Sequence, residues 1–152
     1  LADGTTIPTD DRKVSTAELA ADPSFSGQCL SASGRGVEII PIRGMHDKMP
    51  VLGFRFGNIA YITDMSMLPD SELQKLQGLE HVTLNTVGYK PHHSHFSLYQ
   101  AIELAHRIGA KHTWLTHLSH TFPTYPDFCT QLQTLSPDLD IQPAYDGLVI
   151  EA

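Results

Sequence analysis

The sequence predicts an α/β fold, and three features of it carry that prediction. Short β-prone apolar segments follow one another from Val37 to Ile42, Val51 to Phe56 and Ile59 to Ile62. Between Val82 and Thr116 the pattern then runs strand, helix, strand. The helix in that unit has a strong start signal and a strong stop signal. A strand–helix–strand unit of this length makes the flanking strands parallel, so the sheet is at least partly parallel and carries its helices as crossovers.

The elements follow in order. Residues 1–35 are rich in Gly, Pro, Ser, Thr and Asp and show no clean period, so they read as irregular, with only Val14 to Asp22 able to form a short helix. Val37 to Ile42 is the first clear strand. Gly57 and Asn58 separate the next two runs by two residues, the signature of a tight hairpin. Asp70 is positioned to cap a short helix carrying Leu73 and Leu76 and stopped by Gly78. Val82 to Leu84 reads as a buried strand. Ser97 and Gln100 form a capping-box pair, and Leu98, Ala101, Ile102, Ala105 and Ile108 share one helical face before Gly109 ends the helix. Thr113 to Thr116 is a strand, a helix follows Pro126, and residues 147–150 read as a closing strand.

The chain of 152 residues is long enough for one domain with a core, and residues 1–152 read as one compact unit, irregular over 1–35 and regular over 36–152. A net charge of −7, with no run of Lys or Arg, argues against a nucleic-acid backbone as partner. No apolar run approaches the roughly 20 residues that span a bilayer. A cytoplasmic location is the expectation. Cys29 and Cys129 are the only cysteines and read as free and partly buried.

Histidine is the unusual component. Eight of the nine histidines lie between His81 and His120. Asp64, Asn85 and His117 each fall at or just past the end of a strand, where ligands gather in open α/β sheets because the loops vary while the sheet stays rigid. His46, in the loop after the first strand, can reach the same edge. Imidazole nitrogens with a carboxylate oxygen suit zinc, iron or manganese. Each residue also has a plain reading: His46 as a loop histidine, Asp64 as a cap for Met65 to Leu68, His117 or His120 as a hydrogen-bonded histidine at a strand end.

Four segments come in a familiar order: Gly44-Met45-His46-Asp47-Lys48-Met49-Pro50-Val51-Leu52-Gly53-Phe54-Arg55, Tyr61-Ile62-Thr63-Asp64, Thr116-His117-Leu118-Ser119-His120 and Tyr145-Asp146-Gly147-Leu148. They resemble the second half of metallo-β-lactamase-fold hydrolases, and within them the phosphoribosyl cyclic phosphate phosphodiesterase group, from about Val37 to Glu151. The resemblance implies an αββα sandwich, of which this chain is the C-terminal half, and a two-metal hydrolytic site. It implies His46 as a ligand of the first metal, Asp64 as the carboxylate bridging both, and His117 as a ligand of the second. His95, in Pro-His-His-Ser-His-Phe-Ser-Leu, matches a histidine that touches the substrate phosphate or protonates its leaving group. His120 and Asp146 match positions behind the ligands or in the scaffold, and His92 and His93 read as solvent-exposed loop histidines.

Two divalent ions, zinc foremost with manganese or iron as alternatives, would activate water for attack on a small phosphoester. The family's His-x-His-x-Asp-His segment, which supplies most of the other ligands, does not occur in this sequence. The chain is therefore expected to need an N-terminal half in cis or in trans, to be inactive alone, and to expose an apolar sheet face that favours association, including a homodimer. Other superfamily chemistry (a thioester, a lactone or another phosphoester) and a non-catalytic binding module are the competing expectations.

Overall fold

A computed structural model describes residues 27–30 and 36–151. Its seven strands form one sheet in sequence order: β1 (Gly27–Leu30), β2 (Gly36–His46), β3 (Met49–Phe56), β4 (Ile59–Ile62), β5 (His81–Asn85), β6 (His112–Thr116) and β7 (Ile141–Pro143). Strands β1 to β4 pair antiparallel and β4 to β7 pair parallel. Hairpins explain the first half: His46 pairs with Met49 and Phe56 with Ile59, each across a two-residue turn. Those turns place Asp47 and Gly57 at positive φ, 54° and 58°, which a short polar side chain or none at all tolerates.

The parallel half is built by crossovers. Helix α1 (Leu98–Ile108) joins β5 to β6, and helix α2 (Tyr125–Leu135) joins β6 to β7. The Ser97 hydroxyl accepts from the Gln100 amide while the Gln100 side chain accepts from the Ser97 amide, so the capping box is complete. Gly109 ends α1 in the left-handed conformation, φ 67°. A 3-10 helix spans Asp70–Leu76 between β4 and β5.

Register explains which face is buried. Ala60, Val82, Thr113 and Ile141 align across the sheet, as do Ile62, Leu84 and Leu115, and all are buried. Leu98, Ala101, Ala105 and Ile108 of α1 and Phe128 and Leu132 of α2 join them in one core. The alternate residues Tyr61, Thr83, Trp114 and Gln142 align on the other face. That face is aromatic and partly open, with Tyr61 47% and Phe56 39% exposed. A single sheet with helices on one side is half of a four-layer sandwich.

Several expectations need correcting. Residues 27–30, within the stretch read as irregular, form β1 against Gly36–Ile39; the expected helix from Val14 to Asp22 lies outside the described residues. Asp70 does not cap the 3-10 helix. Pro69 occupies the cap with no side-chain bond, and the Asp70 carboxylate accepts instead from the Arg107 guanidinium on α1. No closing strand forms over residues 147–150. The amide of Leu148 turns back onto Tyr145 O, Val149 is 78% exposed, and the last strand is Ile141–Pro143. That short run shows the in-out alternation and pairs with β6 in parallel.

Candidate metal centre

The carboxyl ends of β4, β5 and β6 point to one edge of the sheet, where Asp64, Thr86 and His117 follow the strands. His46 ends β2 and does not sit in the following turn. His95 lies in the segment between β5 and α1. The four side chains converge. One donor atom each from His46, Asp64 and His95 lies within 4.8 Å of the other two. His117 Nδ1 stands 3.7 Å from Asp64 Oδ1. The His95 ring is 4.8 Å from that of His46 and 4.7 Å from that of His117, between centroids.

Two of these residues carry backbone strain. Asp64 and His117 have φ of 57° and 63°. Left-handed backbone is uncommon for non-glycine residues, costs energy, and persists where the surroundings over-determine it, often at functional sites. His117 follows β6 directly and Asp64 lies two residues past the end of β4, and a left-handed residue there turns the chain sharply at the sheet edge.

The residues fit a divalent cation. Two or three imidazoles with a carboxylate are a zinc, manganese or iron donor set. The Nδ1 atom of His95 is buried without a hydrogen-bond partner among the described residues, which costs free energy unless a ligand satisfies it. One ion can draw three or four protein donors from this group. Two ions cannot each draw three from it alone.

The site differs from expectation in detail. His95 stands as close to His46 and Asp64 as a ligand would, while His117 approaches Asp64. His92 is an exposed loop histidine, as expected, and its ring also stacks on His95 at 5.3 Å with an interplanar angle of 11°. His93 is exposed beside His92 and shares a cleft with His46, Lys48 and Ser94. His92 lines a second cleft with His95, His117 and Ser119. The spacing Pro-His-His-Ser-His held the only signal for this: residues three apart can stack on a tight turn. His120 and Asp146 are exposed, and neither makes a hydrogen bond or ion pair with any described residue.

Burial lowers the pKa of His95, the neighbouring imidazoles of His117 and His46 lower it further by charge repulsion, and Asp64 opposes them. A depressed folded value means that protonation favours the unfolded chain. The stabilisation is present above an unfolded value of about 6.5 and is lost as the pH falls through the folded value. In metal-free protein, an NMR titration should show the His95 ring neutral at pH values where an ordinary histidine is charged. An ordinary midpoint would remove the role of burial.

Against this geometry, residues 2–118 match the family model described as "Beta-lactamase superfamily domain". The chain belongs to this superfamily. The matched region reaches back into the opening stretch, further than the motif resemblance did, and stops before His120 and Asp146. A diphosphatase of the PhnP family is 34% identical, with a TM-score of 0.74 over 84% of this chain and 46% of that one. The metallo-β-lactamase-fold protein YhfI of Bacillus subtilis, 17% identical with a TM-score of 0.61, shares the fold over 83% of this chain and 53% of its own. A protein named octanoyltransferase from Porphyromonas gingivalis (strain ATCC BAA-308 / W83) is 36% identical over 109 residues, which are 71% of this chain and 21% of that protein. The superfamily chain thus spans about half the length of the two solved relatives and about a fifth of the curated one. No helix among the described residues is long and apolar enough to cross a membrane.

Proposed function

We propose that this chain supplies part of the active site of a divalent-metal-dependent hydrolase of small phosphodiesters, of the cyclic phosphate type. The convergence of His46, Asp64, His95 and His117 from four separate segments carries this reading. The likeness to a diphosphatase favours phosphoester chemistry over other reactions of the superfamily. Covalent acyl transfer has less support, because Cys129 lines a different cleft with Pro137 and Asp138.

His46, Asp64 and His117 would hold the ions, with Asp64 shared between two of them when the rest of the domain supplies its ligands. Bound ions of this kind polarise a phosphoryl oxygen and activate water. His95 would face the substrate. Neutral in the resting site, it accepts a hydrogen bond; an anionic phosphate placed between His95 and His46 favours its charged form. It can then deliver a proton to the leaving oxygen. The aromatic face around Tyr61, Phe56 and Trp114 would take the remaining sheet of the domain, in cis or in trans. Covering it contributes roughly 25 cal/mol per Å² of apolar area. A second copy of the chain would be the substitute partner.

The test is a substrate panel on the complete protein loaded with zinc, manganese or iron: a cyclic phosphodiester, a diphosphate, a thioester and a lactone. The expected result is phosphodiester turnover that chelation abolishes. Turnover of the thioester or lactone alone would transfer the site to another chemistry, and turnover of none with no metal bound would make it a binding module. His95→Ala should lower kcat on the phosphodiester by about 10²–10⁴-fold with metal content unchanged. Loss of metal in that variant would make His95 a ligand instead.

A further inference from the structure

We propose that Asn85 is a positioning residue that sets the metal-binding geometry through the backbone of Met65; this rests on the reading of the cluster as a metal site. Asn85 ends β5 and is fully buried. Its side chain closes a ring of two hydrogen bonds on one residue. Oδ1 accepts from the Met65 amide at 3.0 Å, and Nδ2 donates to the Met65 carbonyl at 3.0 Å. Met65 directly follows the left-handed Asp64. A side chain holding both polar backbone groups of the next residue fixes the turn that aims the Asp64 carboxylate.

The same segment holds the other members of the cluster. The Met65 carbonyl also accepts from the amide of Phe96, the residue after His95, at 2.9 Å. The Ser66 amide donates to Met45 O at 2.8 Å, and the Met45 amide to Met67 O at 2.9 Å, which ties down the residue before His46. Ser66 Oγ donates to Met45 O and accepts from the Asp47 amide on the other side of His46. On the far side of Asn85, the Thr86 amide donates to the carbonyl of Thr116, the residue before His117, at 2.9 Å. Every cluster residue is thus one residue from a bond that leads back to Met65–Met67 or to the end of β5. Gly44 permits this packing, since a Cβ there would lie 2.2 Å from Met65 Sδ.

Amide shapes suit the role. A carboxylate at position 85 would set an oxygen against the Met65 carbonyl, and an apolar side chain would leave the Met65 amide buried and unpaired and the Met65 carbonyl with the Phe96 amide alone. Residues that orient metal ligands from behind typically cost about 10–100-fold in metal affinity when removed.

The experiment compares Asn85→Ala and the volume-conserving Asn85→Leu with Val82→Ala, an equally buried change on the same strand. It uses the complete protein and reads backbone amide exchange without metal, then zinc affinity by calorimetry. Both Asn85 variants should lose amide protection first at Met65, Ser66 and Phe96, and should bind zinc about 10–100-fold more weakly. Val82→Ala should lose protection across the sheet and keep its zinc affinity. Exchange patterns and zinc affinities equal to those of Val82→Ala would overturn the proposal. So would failure of both Asn85 variants to fold while Val82→Ala folds, because Asn85 would then serve the sheet and not the site. Wild-type protein that binds no zinc, manganese or iron would end the metal reading, while the exchange pattern would still decide whether Asn85 organises the cluster.

Discussion

Asp64→Asn is expected to abolish metal-dependent turnover while leaving the fold intact. Asparagine keeps the size of the side chain and, like aspartate, tolerates the left-handed backbone found at this position. The substitution therefore removes charge and little else. Asp64 is the only carboxylate in the cluster, and the imidazoles of His46, His95 and His117 surround it. Without it the cluster itself offers no anionic donor to neutralise a divalent ion or to be shared between two. The loss should exceed the roughly 10²–10⁴-fold expected from deleting a single acid–base group, because binding of the ions fails before chemistry begins. Measured metal content and the thermal midpoint should be read together. Metal lost with the midpoint of the metal-free protein unchanged is the expected result. Metal retained at wild-type affinity would show that the histidines suffice and that Asp64 serves only its turn. Asp64→Val separates the backbone from the charge: a β-branched residue at this φ is strained, so the metal-free protein should also be destabilised.

How much of this was readable in the sequence depended on whether the signal was local. The capped helix from Ser97 to Gly109 was legible because its stop, its start and its apolar stripe all lie within one stretch, and each has a direct physical cause. The hairpin at Gly57 was legible for the same reason. The strand Ile141–Pro143 was not, since an alternation over three residues is too short to stand out and only pairing with β6 defines the strand. The residues 147–150 are apolar enough to suggest a strand, but an apolar run forms one only where a neighbour offers free backbone groups. Asp70 looked like a cap because its position relative to Leu73 is right; Arg107, thirty-seven residues away in sequence, attracts its carboxylate instead.

At the site, His46, Asp64, His95 and His117 could be named from motif order, and the fold brings all four together. The bracing could not be named. It runs through main-chain groups of Met45, Met65 and Met67, which no side-chain pattern reports, and through Asn85, whose partners are set by how β4 and β5 end side by side. The stacking of His92 on His95 depends likewise on the path of a loop.

Phe128→Ala should be the most destabilising single change in the described core, about 3–5 kcal/mol. Phe128 is only 1% exposed on α2, and the helix packs against β7 at the edge of the parallel sheet. Its ring stacks on Phe122 at 4.6 Å between centroids, and Phe122 in turn meets Tyr89 at 5.0 Å. The Tyr89 hydroxyl donates to Gln131 Oε1 on the same helix at 2.7 Å. These contacts connect α2 to the segment that carries His92 and His95. Removing the ring leaves a cavity whose lining cannot collapse easily, because the core it belongs to is built from residues held by the helices and the sheet. The change should therefore reach the site as well as the core. Chemical denaturation should give the stability loss, and the exchange of amides from Val87 to Phe96 should rise more than that of β2 and β3. Tyr89→Phe offers the contrast: it deletes only the bond to Gln131, for which a net loss of about 0.5–1.5 kcal/mol is typical. If Phe128→Ala costs no more than Tyr89→Phe, the aromatic stack is not what fastens α2 to the loop, and the support for His95 must come from the Met65 side alone.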